Sequence, residues 1–227
     1  MHQGRLTTAV RRWSTPFVIR SSSAQCHYST TGESSSSSSS PSVPKQVEVV
    51  VCGGGITGLS VAYHLAKRGC SVALFERSIG CGGATGASAG LLSASMLWQD
   101  NSVQKMAQAS IKLYKELSTG DRFRFNRCGR VYLAHSDSTA VSVRRMYAKA
   151  RSLGQEAELI DDNTEMLAKW PSISTEDIQL ALFIADDAVV DPIGLCRELS
   201  KRAAQEGAAI IEQCAVKEVL IGDQTKV

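Results

Sequence analysis

Cysteine pairs of the form C-x-x-C are absent from this 227-residue chain, and its seven cysteines are an odd number scattered from Cys26 to Cys214. That spacing indicates neither a disulfide framework nor a zinc site, and most of the thiols read as ordinary reduced core residues. Long apolar runs are missing too. Nowhere do the ~18 consecutive apolar residues of a membrane span occur, and no apolar stretch near the start has the length of a secretory signal. The four histidines lie far apart, and His64 reads as a surface residue rather than a ligand. Acid is scarce at the beginning: residues 1–46 hold Arg5, Arg11, Arg12, Arg20 and Lys45 against the single acid Glu33. The formal charge of +3 therefore sits at the front, and the 20 basic and 21 acidic residues beyond nearly cancel. A folded part so close to neutral argues against nucleic acid as a partner.

What is present at the start is a basic, Ser-rich segment in which Leu6, Val10, Trp13 and Phe17 recur at helical spacing among arginines. This is the make-up of a mitochondrial transit peptide, with Pro16 placed to end such a helix early. A tail without an address is the alternative. Residues 29–44 contain seven consecutive serines with Pro41 and Pro44 and read as a flexible linker. Residues 1–44 are accordingly expected to be leader and linker, and a mitochondrial, matrix location follows from them. The composition, 43% hydrophobic and 21% charged, is that of a globular protein.

Val47–Cys52 is a nearly continuous apolar run, the pattern of a strand buried on both faces of a parallel sheet, and it stops at three glycines. A helix is expected from about Ile56 to Arg68, with Leu59, Ala62, Tyr63 and Ala66 inward and Gly69 as its C-terminal cap. Val72–Phe75 supplies the second strand of a βαβ unit. Ile79–Ser95 is made almost wholly of small residues, which let backbone come close to another group. Farther on, a helix capped by Asn101 or Ser102 carries Val103, Met106, Ser110, Ile111, Tyr114 and Leu117 on one stripe. Strands are expected at Gly129–His135, Ala157–Ile160, Ile178–Ala185, Ala209–Gln213 and Val216–Ile221. Helices are expected at Thr139–Leu153, at Asp162–Lys169, and from the Asp191-Pro192 start to Gly207. A turn at Gly222-Asp223-Gln224 leads into a last strand at Lys226-Val227. Ending on an apolar residue just after a turn reads as truncation of a longer protein; an intact small domain with a frayed end is the alternative. Arg122, Arg124, Arg127 and Arg130 form a basic cluster around Phe123 and Phe125, which a solvated surface strand explains at least as well as a site.

Gly53-Gly54-Gly55-Ile56-Thr57-Gly58 has the form G-x-G-x-x-G. Glycine-rich turns are common, but this one follows a strand, opens a helix, and is answered by an acid, Glu76, at the end of the next strand. Gly53 permits the tight turn, Gly55 clears the path of a pyrophosphate, and Gly58 lets the helix pack on the strand. The amides of Gly55, Ile56 and Thr57 lie at a helix N-terminus, which favours an anion. Glu76 is placed to accept from adenosine ribose hydroxyls and would repel a 2′-phosphate, which disfavours NADP. A glycine turn that binds nothing is the bland alternative. Between NAD and FAD, the small-residue stretch Gly82 to Leu92 favours FAD, because it offers close-approach backbone to a larger ligand.

In Val51–Gly58, Val61–Ala66, Leu74–Arg77 and Ala87–Leu92 the chain resembles the amine-oxidising flavoproteins that include glycine oxidase, sarcosine dehydrogenase and dimethylglycine dehydrogenase. The resemblance runs from Val47 to the end and covers about the first half of such a flavin module. It implies an α/β fold: a Rossmann-like FAD-binding sheet with part of an inserted α+β substrate domain. The divisions expected are a first part of the FAD-binding domain at 45–122, substrate-domain residues at 123–190, and a return to the FAD-binding domain at 191–227. The resemblance also implies that Ile56 and Thr57 meet the phosphates and ribityl chain, and that Glu76 meets the ribose with Arg77 beside it. It further nominates Ala84, Thr85, Ala89, Gly90 and Leu91 in the loop. Val216 is nominated for the adenine, though a plain buried strand residue fits it equally. Relatives that hold FAD covalently carry histidine where this chain has Ala87, so non-covalent FAD is expected.

The reaction so implied is hydride removal from the carbon next to nitrogen in a small amino acid or N-methyl amine, with oxygen or an electron-transfer flavoprotein as acceptor. The substrate-binding arginine and tyrosine of such enzymes are expected beyond Val227, and no catalytic residue and no metal ligand is nominated here. The family also includes a regulatory subunit of pyruvate dehydrogenase phosphatase, whose start the chain resembles in Cys52–Gly55 and Asp187–Val190. A non-catalytic role is the competing reading.

Overall fold

The computed structural model describes residues 17–21, 43–93 and 101–221. In chain order its elements are β1 (Phe17–Ser21), β2 (Val49–Cys52), α1 (Ile56–Ala66), β3 (Val72–Phe75), β4 (Leu91–Leu92) and α2 (Asn101–Leu117). They continue as β5 (Phe125–Asn126), β6 (Arg130–Ala134), α3 (Asp137–Ser152), β7 (Ala157–Ile160) and α4 (Asn163–Lys169). The last are β8 (Leu180–Ile184), β9 (Ala188–Val190), α5 (Pro192–Gln205), β10 (Ala209–Ile211) and β11 (Val216–Ile221). The class is α/β. The final turn and strand expected after Ile221, and the residues of the leader pattern before Phe17, lie outside the described residues. Phe17, the last residue of that pattern, begins a strand instead of ending a helix, and β1 pairs antiparallel with β11.

The first unit is a parallel three-stranded sheet in the order β10-β3-β2. Helix α1 ends where the sequence stops it: Gly69 sits at φ +84°, and its N–H and that of Cys70 close on the carbonyls of Ala66 and Leu65. Leu59, Ala62, Tyr63 and Ala66 are buried in one cluster with Leu195, Leu199 and Ala203 of α5, so the two helices share a face of the sheet. Burial on both faces holds for β3, whose four residues are all buried, but not for β2. Val50 and Cys52 are exposed, because β2 is an edge of this sheet and, among the described residues, α1 and α5 cover the opposite face.

Two antiparallel sheets follow, β4-β9-β5 and β6-β8-β7. The second carries α3 on one face through Ala140, Val143 and Ala150, and α4 on the other through Met166. Ser136 and Thr139 form a capping box that starts α3, two residues before the position the periodicity predicts. Asp162 and Asp191 each cap the helix that follows, accepting from the amides of Thr164 and Ile193. The small sheet was not legible: β4, β5 and β9 are two or three residues long. The expected stripe of α2 is only partly inward. Ile111, Tyr114 and Leu117 turn inward as expected, but Val103, Met106 and Ser110 are exposed and Gln104 is buried, so in the first turns of the helix the buried face lies about one residue, or roughly 100°, from the expected stripe.

The four arginines around Phe123 do not make one basic patch. Arg122 pairs with Glu198 at 2.8 Å, Arg127 with Asp186, and Arg130 with the buried Asp187 at 3.1 Å. Between Arg122 and Arg130 only Phe125–Asn126 and Arg130 itself are strand, and Phe123 is 8% exposed in the core. Asp187 also accepts from the Ser93 hydroxyl at 2.9 Å, so one carboxylate ties the exit of β4 to the start of β6.

Helix α1 packs closely on the turn that follows β2. A Cβ on Gly58 would lie 1.9 Å from the carbonyl oxygen of Gly53, a backbone atom that cannot rotate away. Gly58→Ala is expected to destabilise by about 3 kcal/mol, the upper end for overpacking, and to lower the thermal midpoint clearly. An unchanged melting curve would show that α1 can ride up at no cost.

Candidate functional site

The turn from β2 into α1 is built on Gly53, at φ +110°, where a side chain is strained. Its N–H donates to the Phe75 carbonyl at 2.8 Å, so the turn starts from the sheet ladder itself. The helix N-cap, Gly55, has no side chain to bond the first orphan amides. Thr85 supplies what is missing: its Oγ1 accepts from the Ile56 amide at 3.2 Å, from a loop 29 residues away. A Cβ on Gly55 would stand 3.1 Å from that same oxygen. Of the three amides expected to face an anion, that of Ile56 therefore already has a partner in this geometry.

Glu76 leaves the end of β3 and turns back over the glycines. Its Oε2 accepts from the Gly54 amide at 2.6 Å, and its Oε1 accepts from both the amide (2.9 Å) and hydroxyl (2.6 Å) of Ser78. Burial pushes its carboxyl up, but the Ser78 and Gly54 hydrogen bonds and the Arg77 charge outweigh that and hold it below the usual glutamate value. Glu76 is thus an anionic acceptor at neutral pH. The chain after β10 is laced to the same place, with the amides of Gln213 and Cys214 donating to the carbonyls of Ser78 and Glu76. This brings the start of β11 beside the glycine turn.

Between these segments opens a cleft of ≈ 430 Å³. Of the residues nominated from sequence, Gly53, Gly55, Glu76, Arg77, Ala84, Thr85 and Val216 line it. Ile56 reaches it only through its bond to Thr85, and Gly58 packs behind the turn. Thr57, Ala89 and Leu91 are exposed and are not in its wall. Gly90 is pressed against β9, where a Cβ would meet the Val190 carbonyl at 2.0 Å. The loop therefore divides: Gly82 to Thr85 bend over the glycine turn, and Gly90 to Leu92 depart along the small sheet.

The wall also holds residues that sequence reasoning passed over, among them Cys52, Ser78, Cys81 and Cys214. Ser78 gave no signal, since a serine two residues after an acid is commonplace. Burial pushes the Cys81 thiol up, so it is a neutral lining group rather than a nucleophile. Among the described residues no cluster of His, Cys, Asp or Glu is arranged for a metal ion, and no helix is long and apolar enough to cross a membrane. A carboxylate held by three hydrogen bonds, a helix start, and three glycines without side chains between them can bind an extended polar ligand.

Comparison with known proteins bears on which ligand. Residues 48–227 match the family described as DAO: FAD dependent oxidoreductase. The chain is 35% identical over 183 residues to the mitochondrial pyruvate dehydrogenase phosphatase regulatory subunit of Mus musculus, covering 79% of this chain and 20% of that protein. It is 31% identical over 181 residues to mitochondrial sarcosine dehydrogenase of Homo sapiens, covering 77% and 19%. The crystal structure of glycine oxidase from Geobacillus kaustophilus superposes with a TM-score of 0.64 at 29% identity, covering 72% of this chain and 46% of that one. The chain thus spans about a fifth of these two curated relatives and under half of the solved enzyme.

The lowered pKa of Glu76 has a sign that can be checked. A carboxyl whose folded value lies below its unfolded one stabilises the fold fully above the ordinary glutamate range, and loses that contribution as pH falls through the folded value. The stability difference between wild type and Glu76→Gln should therefore be flat from neutral pH to about pH 5 and shrink below the ordinary value of about 4.3. Urea midpoints across that range would show it, and a difference that grows on acidification would contradict it.

Proposed function

The chain belongs to the DAO family of FAD-dependent oxidoreductases, and from that premise we propose that the protein binds FAD non-covalently and oxidises the C–N bond of a small amino acid or N-methyl amine. The observation that carries the reading is the Glu76 carboxylate fixed over the glycine turn at the foot of α1. The residues fit the cofactor. A Cβ at Gly54 would stand 2.9 Å from the Glu76 side chain and one at Gly55 3.1 Å from Thr85 Oγ1, so a side chain at either position would displace a group that shapes the cradle. In this reading Glu76 accepts from the adenosine ribose, Arg77 stands beside it, and Val216 faces the adenine. Gly53, Gly55, Ile56, Thr57 and Gly58 form the diphosphate end. Ala84, Thr85, Ala89, Gly90 and Leu91 carry the ligand from the cleft toward the small sheet. FAD, when bound, supplies the two-electron acceptor, and the chain's own part is to hold and orient it.

The same reading assigns residues 45–122 and 191–227 to the cofactor domain and 123–190 to the substrate side. Oxygen or an electron-transfer flavoprotein would take the electrons onward. A mitochondrial site is supported by the basic, acid-poor start and by two relatives named as mitochondrial. A second reading rests on one observation, the 35% identity to a phosphatase regulatory subunit. In it the cleft and its nucleotide are kept, and turnover is not.

Anaerobic spectra of the complete protein separate the two. Bleaching of bound flavin by glycine, sarcosine or dimethylglycine is expected for the oxidoreductase, and none with any small amine for the regulator. In either case Glu76→Ala removes a charge-assisted bond worth roughly 1.5–3 kcal/mol, so FAD affinity should fall about ten- to a hundredfold. Equal affinity in a fluorescence titration would mean that the ribose is held elsewhere.

A further inference from the structure

The acid that meets the sugar is not free to meet all of it. A carboxylate oxygen has two in-plane lone pairs, and Oε1 of Glu76 accepts two bonds from one residue, Ser78, at 2.9 Å from its amide and 2.6 Å from its hydroxyl. Oε2 already accepts from the Gly54 amide, which leaves one lone pair on the carboxylate. An adenosine ribose presents two donors, its 2′- and 3′-hydroxyls. The Ser78 hydroxyl has spent its single proton on Glu76, so its oxygen offers only lone pairs, and Ser78 stands in the cleft wall beside Glu76. Gly82 of the loop lies beside that oxygen, since a Cβ built there would stand 2.8 Å from it, so only a residue without a side chain leaves the Ser78 hydroxyl open to a ligand.

We propose that Ser78 is a second sugar-recognition residue, so that the cis-diol of a nucleoside diphosphate is accepted jointly by Glu76 Oε2 and Ser78 Oγ. This rests on the reading that the cleft takes the adenosine half of the cofactor. Glu76 then has two tasks, one as acceptor and one as the group that orients Ser78. A cis-diol is required because each hydroxyl has its own acceptor, and a sugar lacking either leaves one acceptor unmatched in a partly enclosed site.

The test is calorimetric titration of the chain with ADP, 2′-deoxy-ADP and 3′-deoxy-ADP. Wild type should bind either deoxy analogue roughly fivefold more weakly than ADP, the loss of one ordinary hydrogen bond. Ser78→Ala should weaken ADP by a similar factor and become indifferent to one of the two hydroxyls while still sensing the other. Ser78→Thr, which keeps the hydroxyl, should restore the discrimination. The ratio of affinities within one variant is independent of how much of it is folded, so a general loss of stability cannot imitate this pattern. If Ser78→Ala binds ADP as tightly as wild type, or keeps both discriminations, the proposal is overturned. If the wild-type chain takes no ADP at all, the nucleotide reading itself fails, and this inference goes with it.

Discussion

One carboxylate holds the working end of this molecule together. Glu76 sits at the tip of β3, yet its partners are the Gly54 amide in the preceding turn and the amide and hydroxyl of Ser78 just ahead. Without it, the turn between β2 and α1 would have a partly buried amide unbonded and would be tied to the neighbouring strand only through the Gly53 N–H and the Phe75 carbonyl. Its backbone is equally tied, donating to Ile211 and accepting from Cys214. Three stretches far apart in sequence therefore converge on a single residue, and the cleft is the space left between them.

The glycines follow from that convergence. Gly53 is needed for its dihedral angle and Gly58 because helix and turn approach too closely for any side chain. Thr85 then closes the set by capping α1 from across the cleft, a service helices normally draw from their own N-cap. The amides of Gly54 and Ile56 and the Ser78 hydroxyl proton are thus committed within the site, while Glu76 and Ser78 Oγ keep acceptor lone pairs at fixed positions. The placement of those acceptors, and not the number of polar groups, is the source of selectivity.

Below the cleft the architecture is a problem of joining. The parallel sheet and the antiparallel sheet β6-β8-β7 meet through the short sheet β4-β9-β5, where β9 lies between the strand leaving the glycine-rich loop and the strand entering the second unit. Asp187, just before β9, reinforces the join with Arg130 and Ser93. A buried carboxylate is costly to leave unpaired, so these contacts fix which residues stand next to each other across the boundary.

Much of this was legible along the chain, because it rests on local rules. The periodicity of Leu59, Ala62, Tyr63 and Ala66, the caps at Gly69 and Asp191, and the spacing from Gly58 to Glu76 each depend on residues within a turn or a crossover of one another. The sequence by itself determined the βαβ unit, its glycine turn and the acid facing it. Only the tertiary structure decided that Thr85 would cap α1, that Ser78 would fill one oxygen of Glu76, that Val216 would reach the cleft while Leu91 would not, and that β2 would be covered on one face. Those outcomes depend on where distant segments come to rest and on the competition of several donors for one acceptor, and neither leaves a period or a spacing in the sequence to read.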